Sequence, residues 1–224
     1  MATRKYTVTL PEELAEEIRA EVGPGAFSAY VTRAVERRRE HDRLGELLAW
    51  MQEEQGSLTE DEHIAAAAEL RNIERWFEER EADARDGRAD GRLMKDICFI
   101  LDSEALSRVV LRDRALMGVL TKAHRAGVRV RTSPVAVVEA YRSEIRLPEW
   151  SWAVARVVVE PVTRPIAEEA NQLLRNAGLH GHKYAMDAIL AAIANRQRGP
   201  AVVFTSDADD LTKLCAPRVQ VRAL

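Results

Sequence analysis

Four acids stand where a carboxylate is costly unless something offsets its charge. Glu139 lies in VAVVEAY and Asp187 in YAMDAILAAIA, each inside an apolar stretch of helical character. An ionised carboxylate is expensive to bury there without a partner. Asp102 follows the apolar run ICFIL, and Asp207 follows AVVFTS with Asp209 and Asp210 close behind. Taken singly, each has a plain explanation: Asp102 caps the helix begun by Ser103, and Glu139 or Asp187 is a hydrogen-bonded acid near a helix start. Taken together they suggest one cause. If both apolar runs are strands of one parallel sheet, their carboxyl ends open on the same edge, and two strand-end acids can meet two helix acids there.

Clustered carboxylates repel one another, and without a cation at least one must take up a proton. A hard cation with oxygen ligands resolves this. Magnesium, with manganese as the alternative, suits the set better than zinc because no Cys or His joins it. His180 and His182 precede Asp187 but read as a solvated loop pair. A divalent ion held by carboxylates beside basic residues suits phosphodiester cleavage, where it activates water and neutralises the leaving oxygen. Arg108, Arg112, Arg142 and Lys183 are candidates to track a phosphate backbone, or else plain surface charges.

The elements that must position these acids alternate. The run ICFIL, uninterrupted by polar residues, fits a strand covered on both faces. Helical stretches follow through Ala123, then the strand VRVRTS, the helix PVAVVEAYRSE and the strand RVVVEPVT. After these come a helix over about 165–177, another in HKYAMDAILAAIANRQ, the strand AVVFTS, a short helix in DADDLTKL and a last strand in VQVRA. Strands separated by helices predict an α/β domain with a mostly parallel sheet between helices. No GxGxxG or GxxxxGK follows any strand, which removes the main support for a nucleotide fold.

With 224 residues and 46% hydrophobic content, the chain can build one large domain or two small ones. The net charge of −3 conceals an asymmetry: residues 1–90 hold 13 Lys+Arg against 22 Asp+Glu, and the rest hold 20 against 14. Oppositely charged parts attract each other, and the basic part can otherwise meet an anion. Cys98 and Cys215 lie far apart without metal-type spacing and read as reduced, packed thiols. MATRKYTVTL has no apolar stretch of signal-peptide length, and nowhere do some twenty uncharged residues run together. A soluble cytoplasmic protein without membrane contact is therefore expected. Between the two charge regimes, ADARDGRADGRLMKD reads as a linker, and Met94-Lys95 looks like a second reading-frame start. The division expected is 1–52, 53–84, a linker at 85–95, and 96–224.

In the first part Tyr6, Val8 and Leu10 alternate with Lys5, Thr7 and Thr9, a strand pattern, and Pro11-Glu12-Glu13 begins a helix. Gly23-Pro24-Gly25 breaks it, and Ser28 is placed to cap a longer helix through AYVTRAVERRREHDRLGELLAWMQ. One strand cannot be satisfied by two helices of its own chain, so a second copy is the natural donor. The stretch KYTVTLPEELAEEIRAEVGPGAFSAYVTRAVERR resembles the ribbon-helix-helix (CopG or Arc-like) family of DNA-binding proteins. That resemblance implies a dimer whose ribbon enters the major groove. Lys5, Thr7 and Thr9 would face base edges, Arg4 would add charge, and Ser28 with the helix amides would hold a phosphate.

Next, SLTEDEHIAAAAELRNIERWFEEREADAR carries a capping box from Thr59 to Glu62 and strong helix formers. Ile64, Leu70, Ile73, Trp76 and Phe77 give it one apolar face with no domain of its own beneath. It reads as a binding arm.

Over residues 96–224, ICFILDSEAL, TSPVAVVEAYR, HKYAMDAILAA and TSDADDL, in that order, resemble a PIN-domain ribonuclease of the VapC toxin type. The resemblance assigns the metal-holding acids to Asp102, Glu139, Asp187 and Asp207, with Thr205 and Ser206 as polar support and Asp209 as an outer ligand. It implies an RNA substrate. Ribbon-helix-helix antitoxins and such toxins pair in type II toxin-antitoxin systems, so the chain reads as the two fused. Trp76 and Phe77 would anchor the arm, and Arg71, Arg75 or Arg80 would enter the acidic site to neutralise the nuclease. The partners expected are RNA, operator DNA and a homodimer or higher even-numbered assembly. The alternative is a DNA-binding regulator whose PIN-like half is an inactive dimerisation module.

Overall fold

The structure, a computed structural model, describes residues 6–84, 97–143 and 145–224. Arg4, Lys5 and the expected linker at 85–95 lie outside them. The chain forms two compact units, Met1–Arg39 and Glu40–Leu224.

In the first unit Pro11, at φ −54°, leads into helix α1 (Glu12–Val22), whose first turn carries Glu12 and Glu13 where acids suit the dipole. Gly23 ends α1 at φ 76°, a left-handed conformation that side chains rarely adopt. Helix α2 (Phe27–Gln55) follows. Ser28, expected as its cap, is instead the second helical residue, and its carbonyl accepts a hydrogen bond from Thr32 Oγ1 at 2.9 Å. Tyr6–Leu10 do not form the expected strand in the single chain. A strand exists through its ladder, and no second strand is present among the described residues of this unit. Tyr6 and Val8 are 76% and 65% exposed.

The second unit is built on a five-stranded, all-parallel sheet of order β3-β2-β1-β4-β5, comprising β1 (Cys98–Leu101), β2 (Arg129–Thr132), β3 (Val158–Val159), β4 (Ala201–Thr205) and β5 (Val219–Ala223). Every residue of β1 is buried because both faces are covered. Phe99 and Leu101 join Val130, Val202 and Phe204 in one core, while Cys98 and Ile100 join Ala201, Val203 and Val219 in the other. This period-two division explains why ICFIL is apolar throughout. Helices α4 (Ser103–Val110), α5 (Arg114–Arg125) and α7 (Leu147–Val154) pack on the first face, and α8 (Arg164–Ala177), α9 (Gly181–Asn195) and α10 (Ala208–Leu214) on the second. The short α6 (Pro134–Ala140) follows β2. Helix α7 was not foreseen, and β3 is much shorter than RVVVEPVT suggests.

The acidic segment belongs to this same fold. Leu44, Leu47, Leu48 and Met51 of α2, and Leu70, Ile73 and Phe77 of α3 (Glu60–Ala84), are buried in the first core. The compact unit therefore starts at Glu40, about three helical turns before the expected boundary at 52. Thr59 and Glu62 form the capping box, with Thr59 N–H donating to Glu62 Oε2 at 2.7 Å and Glu62 N–H to Thr59 Oγ1 at 3.3 Å. Five arginine–glutamate pairs cross the seam with the acid always on α2 or α3: Glu40 with Arg131, Glu46 with Arg156, Glu54 with Arg112, Glu62 with Arg114 and Glu69 with Arg222. The charge asymmetry of the sequence is thus partly discharged inside the chain.

Candidate active site

The strand order reverses at β1 and β4: the chain moves outward through β2 and β3 on one side, then returns to lay β4 and β5 on the other. At such a switch point the loops leaving two neighbouring strands diverge and leave a crevice beyond their carboxyl ends. A pocket of about 250 Å³ is lined there by Asp102, Ser103, Ser133, Glu139, Lys183, Asp187, Thr205, Ser206 and Asp207, with Val135, Ala136, Met186 and Leu190 as its apolar wall.

Asp102 leaves β1 and is buried, at 9% exposure. Its Oδ1 accepts the Ala105 N–H at 2.6 Å, capping α4, and its Oδ2 accepts the Ser206 N–H at 3.2 Å across to the end of β4. Capping and pocket-lining are therefore not alternatives for this residue. Burial pushes its carboxyl above the usual range, against the hydrogen bonds from Ala105, Thr205 and Ser206. Thr205 is also buried; its hydroxyl donates to Asp102 and its Oγ1 accepts the Asp207 N–H at 2.9 Å. That hydroxyl is occupied in orienting two acids. Ser133 caps α6, its Oγ accepting the Ala136 N–H at 3.0 Å, and so fixes the helix that carries exposed Glu139. Ser103 and Ser133 were not singled out from sequence, although a serine before proline at a helix start is a legible signal for Ser133.

Asp187, on α9, is half-buried. Burial, followed by the charges of Asp207, Glu139, Asp210 and Asp102, pushes its carboxyl up to about 6. Lys183, one turn earlier, lines the same pocket and donates to the Tyr184 hydroxyl at 2.9 Å. Asp209 is exposed and lies outside the pocket lining, and Asp210 is paired with Lys213 at 2.8 Å. Among the described residues, no three His, Cys, Asp or Glu side chains stand grouped as a ready metal site. The donor set nonetheless fits a hard cation: it is all oxygen, and one carboxyl is held near protonation by burial and then by like charges, the latter of which a cation would relieve.

Several expected contacts fall elsewhere. Arg112 is 6% exposed, pairs with Glu54 and lies 3.9 Å from the Trp50 ring centroid, so it is held under the α2 helix and is not a free surface charge. Arg108 and Arg142 share the Glu104 carboxylate, at 3.2 and 2.9 Å. Phe77 is buried and Trp76 half-buried against the core, but Ile64 is 56% exposed. Arg80 stacks on Trp76 and donates to the Pro217 carbonyl at 3.1 Å. Pro217 precedes β5, whereas Glu69 meets Arg222 near that strand's end. The helix α3 therefore runs from the carboxyl edge of the sheet toward its amino edge, carrying Arg80 away from the acids of its own chain. Arg71 and Arg75 are exposed, and neither lines the carboxylate pocket.

Among the described residues, no helix is long and apolar enough to cross a membrane. Among solved structures, the crystal structure of VapBC2 from Rickettsia felis bound to a DNA fragment from their promoter is similar to this chain. The TM-score is 0.44 at 11% sequence identity, covering 57% of this chain and 98% of that one. No family model and no curated protein matches the sequence.

Proposed function

We propose that the α/β unit is a divalent-metal-dependent endoribonuclease, and that the N-terminal unit joins a second copy to bind operator DNA, making the chain a fused toxin-antitoxin protein. The observation that carries the nuclease is the pocket at the β1/β4 switch point, whose walls present Asp102, Glu139, Asp187 and Asp207 together. Magnesium, or manganese in its place, would be held by these four carboxylates and would supply an activated water and a counter-charge for the phosphate. The chain's own contribution is orientation. The N–H groups of Ala105 and Ser206 fix the two oxygens of Asp102, Thr205 ties Asp102 to Asp207, and Lys183 supplies a cation at the rim for the phosphate backbone.

For the N-terminal unit, Tyr6, Val8, Leu14 and Val35 are exposed apolar side chains that a second copy would cover. Thr7 and Thr9, both exposed, would face DNA with Arg4 and Lys5, and Ser28 in the first turn of α2 would sit near a phosphate. The acidic arm is an integral layer of the nuclease unit, so its role in neutralisation would not be insertion of Arg80 into the pocket of its own chain.

The test is RNA cleavage by the full chain with magnesium and with chelator. Magnesium-dependent cleavage, reduced about a hundredfold or more in Asp102→Asn, supports the nuclease. No cleavage and no thermal shift with magnesium or manganese leaves the DNA-binding regulator with an inactive PIN-like half. Retardation of the upstream promoter, abolished by combining Lys5→Ala with Thr7→Ala, tests the other unit.

A further inference from the structure

At the amino end of the sheet, opposite the carboxylate pocket, a second pocket of about 260 Å³ is lined by Arg129, Arg131, Arg196 and Arg198, with Ile166 and Ile193 in its wall. A single carboxylate, Glu160, lies in the lining, and it is paired with Arg131. Outside the lining, Glu40 holds Arg131 at 2.8 Å and Glu169 holds Arg196 at 3.1 Å. Arg129 and Arg198 have no side-chain hydrogen bond or ion pair among the described residues. Arg131 Nε is buried and likewise lacks an acceptor.

Cations near a helix C-terminus commonly serve its free carbonyls, and Arg196 and Arg198 follow α9. Here that duty is already filled. Arg218 donates to the carbonyls of Gln197, at 2.9 Å, and of Asn195. The excess of guanidinium groups therefore lacks an internal explanation. Like charges gathered beside apolar walls repel one another more than they would in open water, and an anion with several acceptor oxygens relieves this. We infer that this pocket binds a phosphate group. Arg129 and Arg198 are its free donors, and Arg131 and Arg196 are held in place by their glutamates. A single phosphate, with the sugar of a nucleotide end, matches the small volume better than a bulky ligand.

The experiment is titration of the full chain with inorganic phosphate in excess chelator, which keeps metal from bridging phosphate to the carboxylate pocket, read by calorimetry. Saturable binding is expected, weakened about tenfold by combining Arg129→Gln with Arg198→Gln and unchanged by Asp187→Asn. Circular dichroism confirms that the double variant is folded; if it is not, each single variant is expected to weaken binding on its own. A single-stranded RNA with a 5′-phosphate that competes, beside a 5′-hydroxyl twin that does not, assigns the phosphate to an RNA end. Competition by neither assigns it to a free phosphate compound. No binding up to roughly 10 mM, or binding equal in parent and double variant, overturns the inference. It stands or falls independently of whether the other edge of the sheet cleaves RNA.

Discussion

Asp102 accepts one hydrogen bond from Ala105, in the helix that follows it, and another from Ser206, more than a hundred residues away at the end of the neighbouring strand. One carboxylate thus caps α4 and ties together the two strand ends that frame the pocket. Asparagine keeps one acceptor for these two donors, and alanine keeps none. Asp102→Asn should therefore lie within about 1 kcal/mol of the parent in urea unfolding while losing the proposed cleavage, and Asp102→Ala should be less stable by about a further 1 kcal/mol. Equal stability of the two variants would show that the hydrogen bonds contribute nothing measurable.

Asp187 gives a pH signature. Folding raises its carboxyl from 3.8 to about 6, so the folded state holds this proton more tightly than the unfolded chain. Metal-free stability should fall as pH rises from about 4 to about 6 and stay reduced above that. The side chain is only half-buried, so solvent screening leaves about 1 kcal/mol of the full effect. Asp187→Asn should then raise the melting temperature by about 3 °C at neutral pH in chelator, and added magnesium should narrow the gap by stabilising only the parent. A variant that melts below the parent under these conditions would contradict the repulsion.

How far the sequence carried the structure depended on where each residue's partner lay. The covered strand Cys98–Leu101 was legible because a continuous apolar run has few other uses, and the sites of Asp102 and Asp207 followed from the strand ends. Arg112 was not legible: its partners Trp50 and Glu54 are some sixty residues earlier, and nothing local separates a buried stacked arginine from a surface one. The start of the compact unit at Glu40 was not legible because α2 is one unbroken helix, and the spacing of Leu44, Leu47, Leu48 and Met51 names an apolar face without naming what covers it. Residues 6–10 carry a strand pattern, but no ladder partner for them is present among the described residues of their unit.

The arm's membership in the core is directly measurable. Ile73 is fully buried in the first core, whereas Ile64, on the same helix, is 56% exposed. Ile73→Ala should cost about 3 kcal/mol by urea unfolding, and Ile64→Ala less than about 1 kcal/mol. For the same reason a fragment beginning after α3 should expose the apolar face beneath and aggregate, so nuclease assays require residues 40–84 in place. Similar losses for the two variants would mean that α3 is held by its ion pairs alone.

A second titration runs the opposite way. His124 on α5 stacks on His41 of α2 with ring centroids 3.9 Å apart, and its Nε2–H donates to the His41 carbonyl at 3.1 Å. Gly45 leaves room for this approach, since a Cβ there would stand 3.1 Å from the same nitrogen. Burial, then the neighbouring His41, holds the His124 pKa below 6.5. The unfolded chain therefore binds this proton more readily, and the stack's stabilisation is complete above pH 6.5 and lost as pH falls through and below that value. Because Asp187 gains stability over much of the same interval, the measurement belongs in an Asp187→Asn background. There the urea midpoint should drop between about pH 7 and pH 5, and His124→Gln, which keeps an N–H within reach but takes up no proton, should flatten the drop. An equally steep fall in the glutamine variant would move the acid sensitivity to another group.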